Sequence, residues 1–219
     1  MASVCPTPIK FCTVRATRLD PVTGAVVGGA NGGYVSNGAV SIAFSADIEE
    51  GTESTLKNGC GDVLATSKTP DRFKRWNMVL TMGQFEPGLV EILTGATVET
   101  SGADIIGITG EDQFDPAFEE TLAAIEGWAF AYEGDAPDST RPYFYALIPA
   151  SSWVIGDFTL QEDPATLPIN GFSRSNDMWG NGPYDDTGFT SQVSTWSFVQ
   201  VANDPPTAAC DYVSVVAGS

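Results

Sequence analysis

The sequence predicts a mainly β protein: a single-domain β-sandwich or barrel over residues 1–219, with one or two short helices and a long inter-strand arm at about 47–71. Three observations carry this reading. Apolar and polar residues alternate in short runs, most clearly at 38–48 and 73–82. The 23 Gly and 14 Pro cut the chain into many turns. Hydrophobic residues make up 42%, with 12 Phe and 5 Trp, which is enough for a packed core.

Residues 9–19 (IKFCTVRATRL) alternate as a first strand, with Phe11, Thr13, Arg15 and Thr17 on one face and Cys12, Val14 and Ala16 on the other. Asp20 to Gly24 is a turn, and Val26-Val27 begins a short second strand. The glycine-rich run 28–33 is read as a loop; no Lys-Ser or Lys-Thr follows it, as a phosphate-cradling loop requires. In 73–82, Trp76, Met78, Leu80 and Met82 share one face, and Trp76, Met78 and Leu80 are expected to anchor the core.

Between these two strands lie an acidic turn (Glu49-Glu50-Gly51-Thr52-Glu53) and a glycine-rich knot, Lys57-Asn58-Gly59-Cys60-Gly61-Asp62. Two strands joined by a long polar excursion suggest an arm built to meet another subunit. Arg72, Lys74 and Arg75 form a basic island that is either a solvated strand entry or a docking patch complementing Glu49, Glu50 and Glu53 of a neighbouring copy. With Lys57, these are the candidate inter-subunit contacts.

Pro87 to Leu93 reads as a two-turn helix that starts on Pro and stops on Gly95. Short strands follow at 96–99 and 105–108. Asp115 to Ile125 (DPAFEETLAAI) has a helical cast, with Asp115 as cap. β alternation then resumes: Trp128, Phe130 and Tyr132 share a face, with Trp128 and Phe130 as further core anchors. Residues 143–149 form the partner strand, and further strands are expected at 152–155, 167–173, 191–201 and 211–216. Residues 175–186 (SNDMWGNGPYDD) read as a structured surface loop.

The net charge is −18, and it is uneven: residues 76–219 hold only Arg141 and Arg174 against 21 acids. Such a balance excludes nucleic-acid binding by phosphate neutralisation. It suits a surface to which DNA must not stick, or a very soluble protein. No window reaches a membrane span, and the N-terminus lacks the basic region and apolar run of a signal peptide.

With no His, the chain lacks the commonest general base and every His-dependent metal site. Cys5, Cys12, Cys60 and Cys210 form no CxxC pair; they are read as free, mostly buried thiols, with a bridge from Cys5 or Cys12 to Cys210 the alternative. Acidic pairs such as Glu162-Asp163 single out no glycosidase couple. Asp177, Asn181, Asp185 and Asp186, or Glu111, Asp112 and Asp115, hold oxygen ligands without the calcium-loop pattern. Trp179 and Tyr184 either stack on sugars in a carbohydrate-binding module or pack an ordered loop. The expectation is no catalysis, no metal and no cofactor.

The succession SADIEEGTESTLKNGCGDV, TPDRFKRWNMVLTMGQFEPGLVEILTGA, RPYFYALIPASSW and SNDMWGNGPYDD resembles the major tail (tail tube) proteins of siphophages infecting actinobacteria. The resemblance covers about 41–186. It implies a β-sandwich or barrel flanked by a helix, assembling as stacked hexameric rings into the tube that conducts DNA from capsid to host. It places the arm of about 47–71 against the adjoining ring and makes the protein a virion tail component assembled in the host cytoplasm. Its partners are then itself and other tail proteins such as the tape measure and terminator, with DNA as non-sticking cargo. A tail terminator or adaptor ring, or a head decoration protein, shares the same β-rich, acidic character.

Overall fold

The central strands of the sheet are buried on both faces through much of their length, including positions that alternation alone would leave in water. The computed structural model describes residues 7–110, 120–133, 135–159, 166–184, 192–207 and 210–216. Among these the chain is mainly β, with one helix and a large antiparallel sheet, consistent with a β-sandwich.

In chain order the strands are β1 (Thr7–Leu19), β2 (Gly29–Ser36), β3 (Ala39–Glu49), β4 (Glu53–Lys57), β5 (Val63–Lys68) and β6 (Arg72–Met82). After helix α1 (Pro87–Thr94) come β7 (Thr97–Ser101), β8 (Asp104–Thr109), β9 (Leu122–Glu133) and β10 (Ala136–Pro137). The last are β11 (Tyr143–Ile155), β12 (Leu167–Ser173), β13 (Ser197–Val201) and β14 (Asp211–Val215). The main sheet runs β14-β2-β1-β9-β11-β12-β6-β3, with β10 beside β9 and β13 beside β11; β4–β5 and β7–β8 are separate ribbons. β3 is therefore an edge strand, and its outer row of backbone groups faces no other described strand.

One edge of β11 serves two strands. Tyr143–Leu147 pair with β13, while Ser151–Ile155 pair with β12. The exchange falls at Pro149, which has no N–H to give to a ladder. Asn176 Nδ2 donates to the Pro149 carbonyl at 3.1 Å, and the Arg174 N–H to the Ala150 carbonyl at 2.8 Å. Residues 143–149 and 152–155, expected as two strands, are thus one bent strand.

The sheet curls over on itself. Val14, Ala16, Ala123, Ile125 and Ile148 face Met78, Leu80, Met82 and Ile169 across a first core, into which α1 inserts Leu89, Val90, Ile92 and Leu93. α1 ends as its sequence predicts, with Gly95 in the left-handed region and its N–H on the Glu91 carbonyl. A second core lies on the other face of β1, β9 and β11, where Leu19, Ala124, Trp128, Tyr145 and Leu147 are covered by Trp179 and Val201.

Several expectations are corrected. The run 28–33 is not a loop: from Gly29 it is β2, and Gly33 is needed because Val213 and the Tyr184 hydroxyl press on it, 2.9 and 2.7 Å from where a Cβ would stand. Val26 makes only an isolated bridge to Leu19. Leu122 to Ile125 is not helical but opens β9, because pairing with Leu19 to Ala16 of β1 overrides the helix preference of Leu and Ala; residues 115–119 lie outside the described set. In β1 the register shifts around Phe11 and Thr13, so Phe11 packs against the first core and Cys12 against the second. That reverses the faces that strict alternation gives them. Phe130 is only half-buried, lying against Tyr143 with Lys10 over its ring.

Candidate functional site

β3 and β6 pair along their whole length, from Ala39 opposite Met82 to Glu49 opposite Arg72. Beyond that point the chain continues as the hairpin β4–β5, joined to the root by the Gly51 N–H on Asp71 Oδ1 (2.9 Å) and the Thr69 N–H on the Thr52 carbonyl (3.1 Å). Gly51 has no substitute, because a Cβ there would stand 1.6 Å from the Thr69 carbonyl oxygen. At the tip, Asn58 Oδ1 accepts the N–H groups of Cys60 and Asp62 at 3.0 and 2.8 Å, while Asn58 Nδ2 donates to Asp62 Oδ2. The sequence KNGCGD folds this way because an Asn side chain can close a turn on its own backbone.

Every residue of β4 and β5 is exposed, and the two strands pair only with each other. Leu56 is 62% exposed, as is Leu64, and Val63 is exposed beside them. Leu64 is the extra residue of a bulge, since Leu56 faces Ala65 while Lys57 faces Val63. A two-stranded ribbon of this kind is marginal in water by itself.

The structure places Glu49, Glu50, Glu53, Arg72 and Lys74 together at the root of one hairpin. Glu49 lies opposite Arg72, and Glu53 opposite Lys68. Lys57 stands apart from them at the tip. The side chains of Lys57, Arg72 and Lys74 make no hydrogen bond or ion pair among the described residues. Arg75 is the exception: it is half-buried, its Nε donates to Asp47 Oδ2 at 3.0 Å, and its guanidinium covers Phe172.

The alternation did not reveal an aromatic cluster at this root. The register shift between Asp47 and Ile48 leaves Lys74 as an extra residue, which brings the Phe73 ring to 5.2 Å from that of Trp76. Trp196 and Phe198 join them from the other layer, at 5.8 and 5.9 Å from Trp76, and Phe44 closes the group. Phe73 is 47% exposed and Trp196 is 41% exposed. Trp76, expected as a core anchor, is half-buried at the core's edge, whereas Met78, Leu80 and Trp128 are fully buried as expected. Trp76→Ala is therefore expected to cost about 2–3 kcal/mol in urea unfolding, below the about 3–5 kcal/mol of a fully enclosed Trp.

The loop after β12 is a lid on the second core. Trp179 is 4% exposed, and Tyr184 lays its ring 3.4 Å from the Arg15 guanidinium carbon with its hydroxyl 3.0 Å from Thr17 Oγ1. Of the two readings of Trp179, the structure supports packing over a sugar platform. Trp179→Ala is expected to lower stability by about 3–5 kcal/mol, read as a fall in thermal midpoint. Beneath this lid Arg15 and Glu126 form a bidentate pair, with Nε–Oε2 at 2.6 Å and Nη2–Oε1 at 2.7 Å, and the Tyr145 hydroxyl donates to Oε1.

Among the described residues no three His, Cys, Asp or Glu side chains group to hold a metal. Asp185 and Asp186, and the set Glu111, Asp112 and Asp115, lie outside those residues. Cys12, Cys60 and Cys210 are free, but not mostly buried: Cys60 is exposed at the arm tip, because the turn there packs against nothing, and the other two are half-buried. Burial raises the Cys12 and Cys210 thiols, which disfavours the thiolate a nucleophile needs. Cys5 lies outside the described residues. No known protein family matches the chain, and no curated protein matches it.

Proposed function

We propose that this chain is a structural subunit of a phage virion that assembles with copies of itself, as stacked hexameric rings, into the tail tube. The β4–β5 hairpin carries the reading, because it exposes every residue, Leu56, Val63 and Leu64 among them, and its strands pair with no other described strand. Ordered apolar surface of that kind is what an inter-subunit contact covers. The open edge of β3 offers a second surface for another copy. The acidic excess over residues 76–219 suits a conduit along which DNA slides without being held. The sequence resemblance to siphophage tail tube proteins selects the tube over a terminator or adaptor ring or a head decoration protein. The tape measure and terminator are the further partners that this role entails.

Light scattering and negative-stain microscopy over a concentration series test the proposal. Hollow tubes or stacked rings are the expected result. A lone ring moves the assignment to a terminator or adaptor, and a monomer at every concentration removes it.

A further inference from the structure

The arm has two ends of unlike character. The tip presents Leu56, Val63 and Leu64, with Lys57 and Asp62 beside them. The root presents the exposed faces of Phe73 and Trp196, backed by Trp76 and Phe198, with Glu49, Glu50, Arg72 and Lys74 around them. Each end is thus an apolar patch bordered by charges of both signs, and the patches are open on the same molecule. Leu64 and Phe73 are nine residues apart in sequence, on the order of 25–30 Å of extended chain, and the hairpin and its β3–β6 root belong to separate sheets.

From this we infer that the tip of one copy's arm seats on the aromatic root of the next copy. Leu56 and Leu64 cover Phe73 and Trp196, Lys57 meets Glu49 or Glu50, and Asp62 meets Arg72 or Lys74. A tip-to-root contact is head-to-tail: each copy gives its tip to one neighbour and its root to another, so the contact propagates instead of closing as a dimer. Root-to-root pairing would also satisfy the charges, but it would leave the apolar tips in water. The inference rests on the self-assembly reading and names the surface that the arm needs.

Two variants, Leu56→Cys and Trp196→Cys, are made separately in a Cys60→Ser background, mixed under assembly conditions and mildly oxidised. A disulfide-linked pair on a non-reducing gel is expected from the mixture and not from either variant alone. Assembled particles that give no more cross-link in the mixture than alone overturn the inference while leaving the tube reading intact. Wild-type protein that never assembles overturns both. A second measurement does not depend on the cysteines. Trp196→Ala and Leu56→Ala should each raise the protein concentration needed for assembly about tenfold, as truncation of a contact centre does. An unchanged threshold in both refutes the contact.

Discussion

Glu126→Ala is expected to cost about 3–5 kcal/mol and to lower the thermal midpoint by about 10 °C. Arg15 is 2% exposed and Glu126 1%, so neither charge reaches water. In the intact protein the bidentate contact, the Tyr145 hydroxyl and the overlying Tyr184 ring replace the lost hydration. Removing the carboxylate takes from a buried guanidinium, which cannot deprotonate, the counter-charge that holds it by two hydrogen bonds. Against a total stability of about 5–15 kcal/mol that is a large fraction. Replacing both partners with apolar residues, Arg15→Met with Glu126→Leu, should recover most of the loss, because both buried charges are then removed together. Urea unfolding of the single and double variants measures this. A single variant within about 1 kcal/mol of wild type would show that the pair is not enclosed as described.

Replacing Glu53–Lys68 by a two-residue Asn-Gly turn is expected to abolish assembly and leave the subunit folded. Thr52 and Thr69 are already linked by a backbone hydrogen bond, so a short turn can join them. The excised residues are all exposed or in turns, and the only ion pair lost among the described residues is the exposed Lys68–Asp71 contact, so the thermal midpoint should move by only a few degrees, about 1 kcal/mol or less. Circular dichroism melting reports the fold, and microscopy reports the assembly. Tubes of normal length from this variant would remove the arm from the interface. A variant that does not fold would show that the hairpin supports the main sheet.

Local patterns made much of the fold legible. β3, β6, α1 and the β7–β8 ribbon lie within a few residues of their expected bounds, because alternation and Pro or Gly signals mark them directly. The polar excursion between β3 and β6 was legible for the same reason, being turn-rich and bounded by two strong strands. What stayed hidden depended on distant partners. β2 is glycine-rich, and glycine carries no alternation to read; Tyr184, Val213 and Val215, far along the chain, show why Gly32 and Gly33 lack side chains. Leu122 to Ile125 suits either a helix or a strand, and β1 decides.

At the candidate site, one extra residue at Lys74 shifts the phase of the strand, so Phe73 and Trp76 meet although their spacing places them on opposite faces. The Arg15–Glu126 pair had a signal that passed unused. Each charge interrupts an apolar run, Arg15 between Val14 and Ala16 and Glu126 after Ile125, and such interruptions in doubly covered strands call for a partner.

The free edge of β3 bears on how the protein behaves in bulk. Along Ala39–Glu49 there is no Pro and no Lys to blunt pairing, and only Asp47 and Glu49, at the far end, carry charge. Colloidal stability therefore rests on mutual repulsion between whole molecules. With an isoelectric point near 4.1, that repulsion fades as the solution is acidified toward it, and strand-to-strand stacking between copies then meets little opposition. The acidity of the chain thus keeps separate copies from sticking to one another along this open edge at neutral pH.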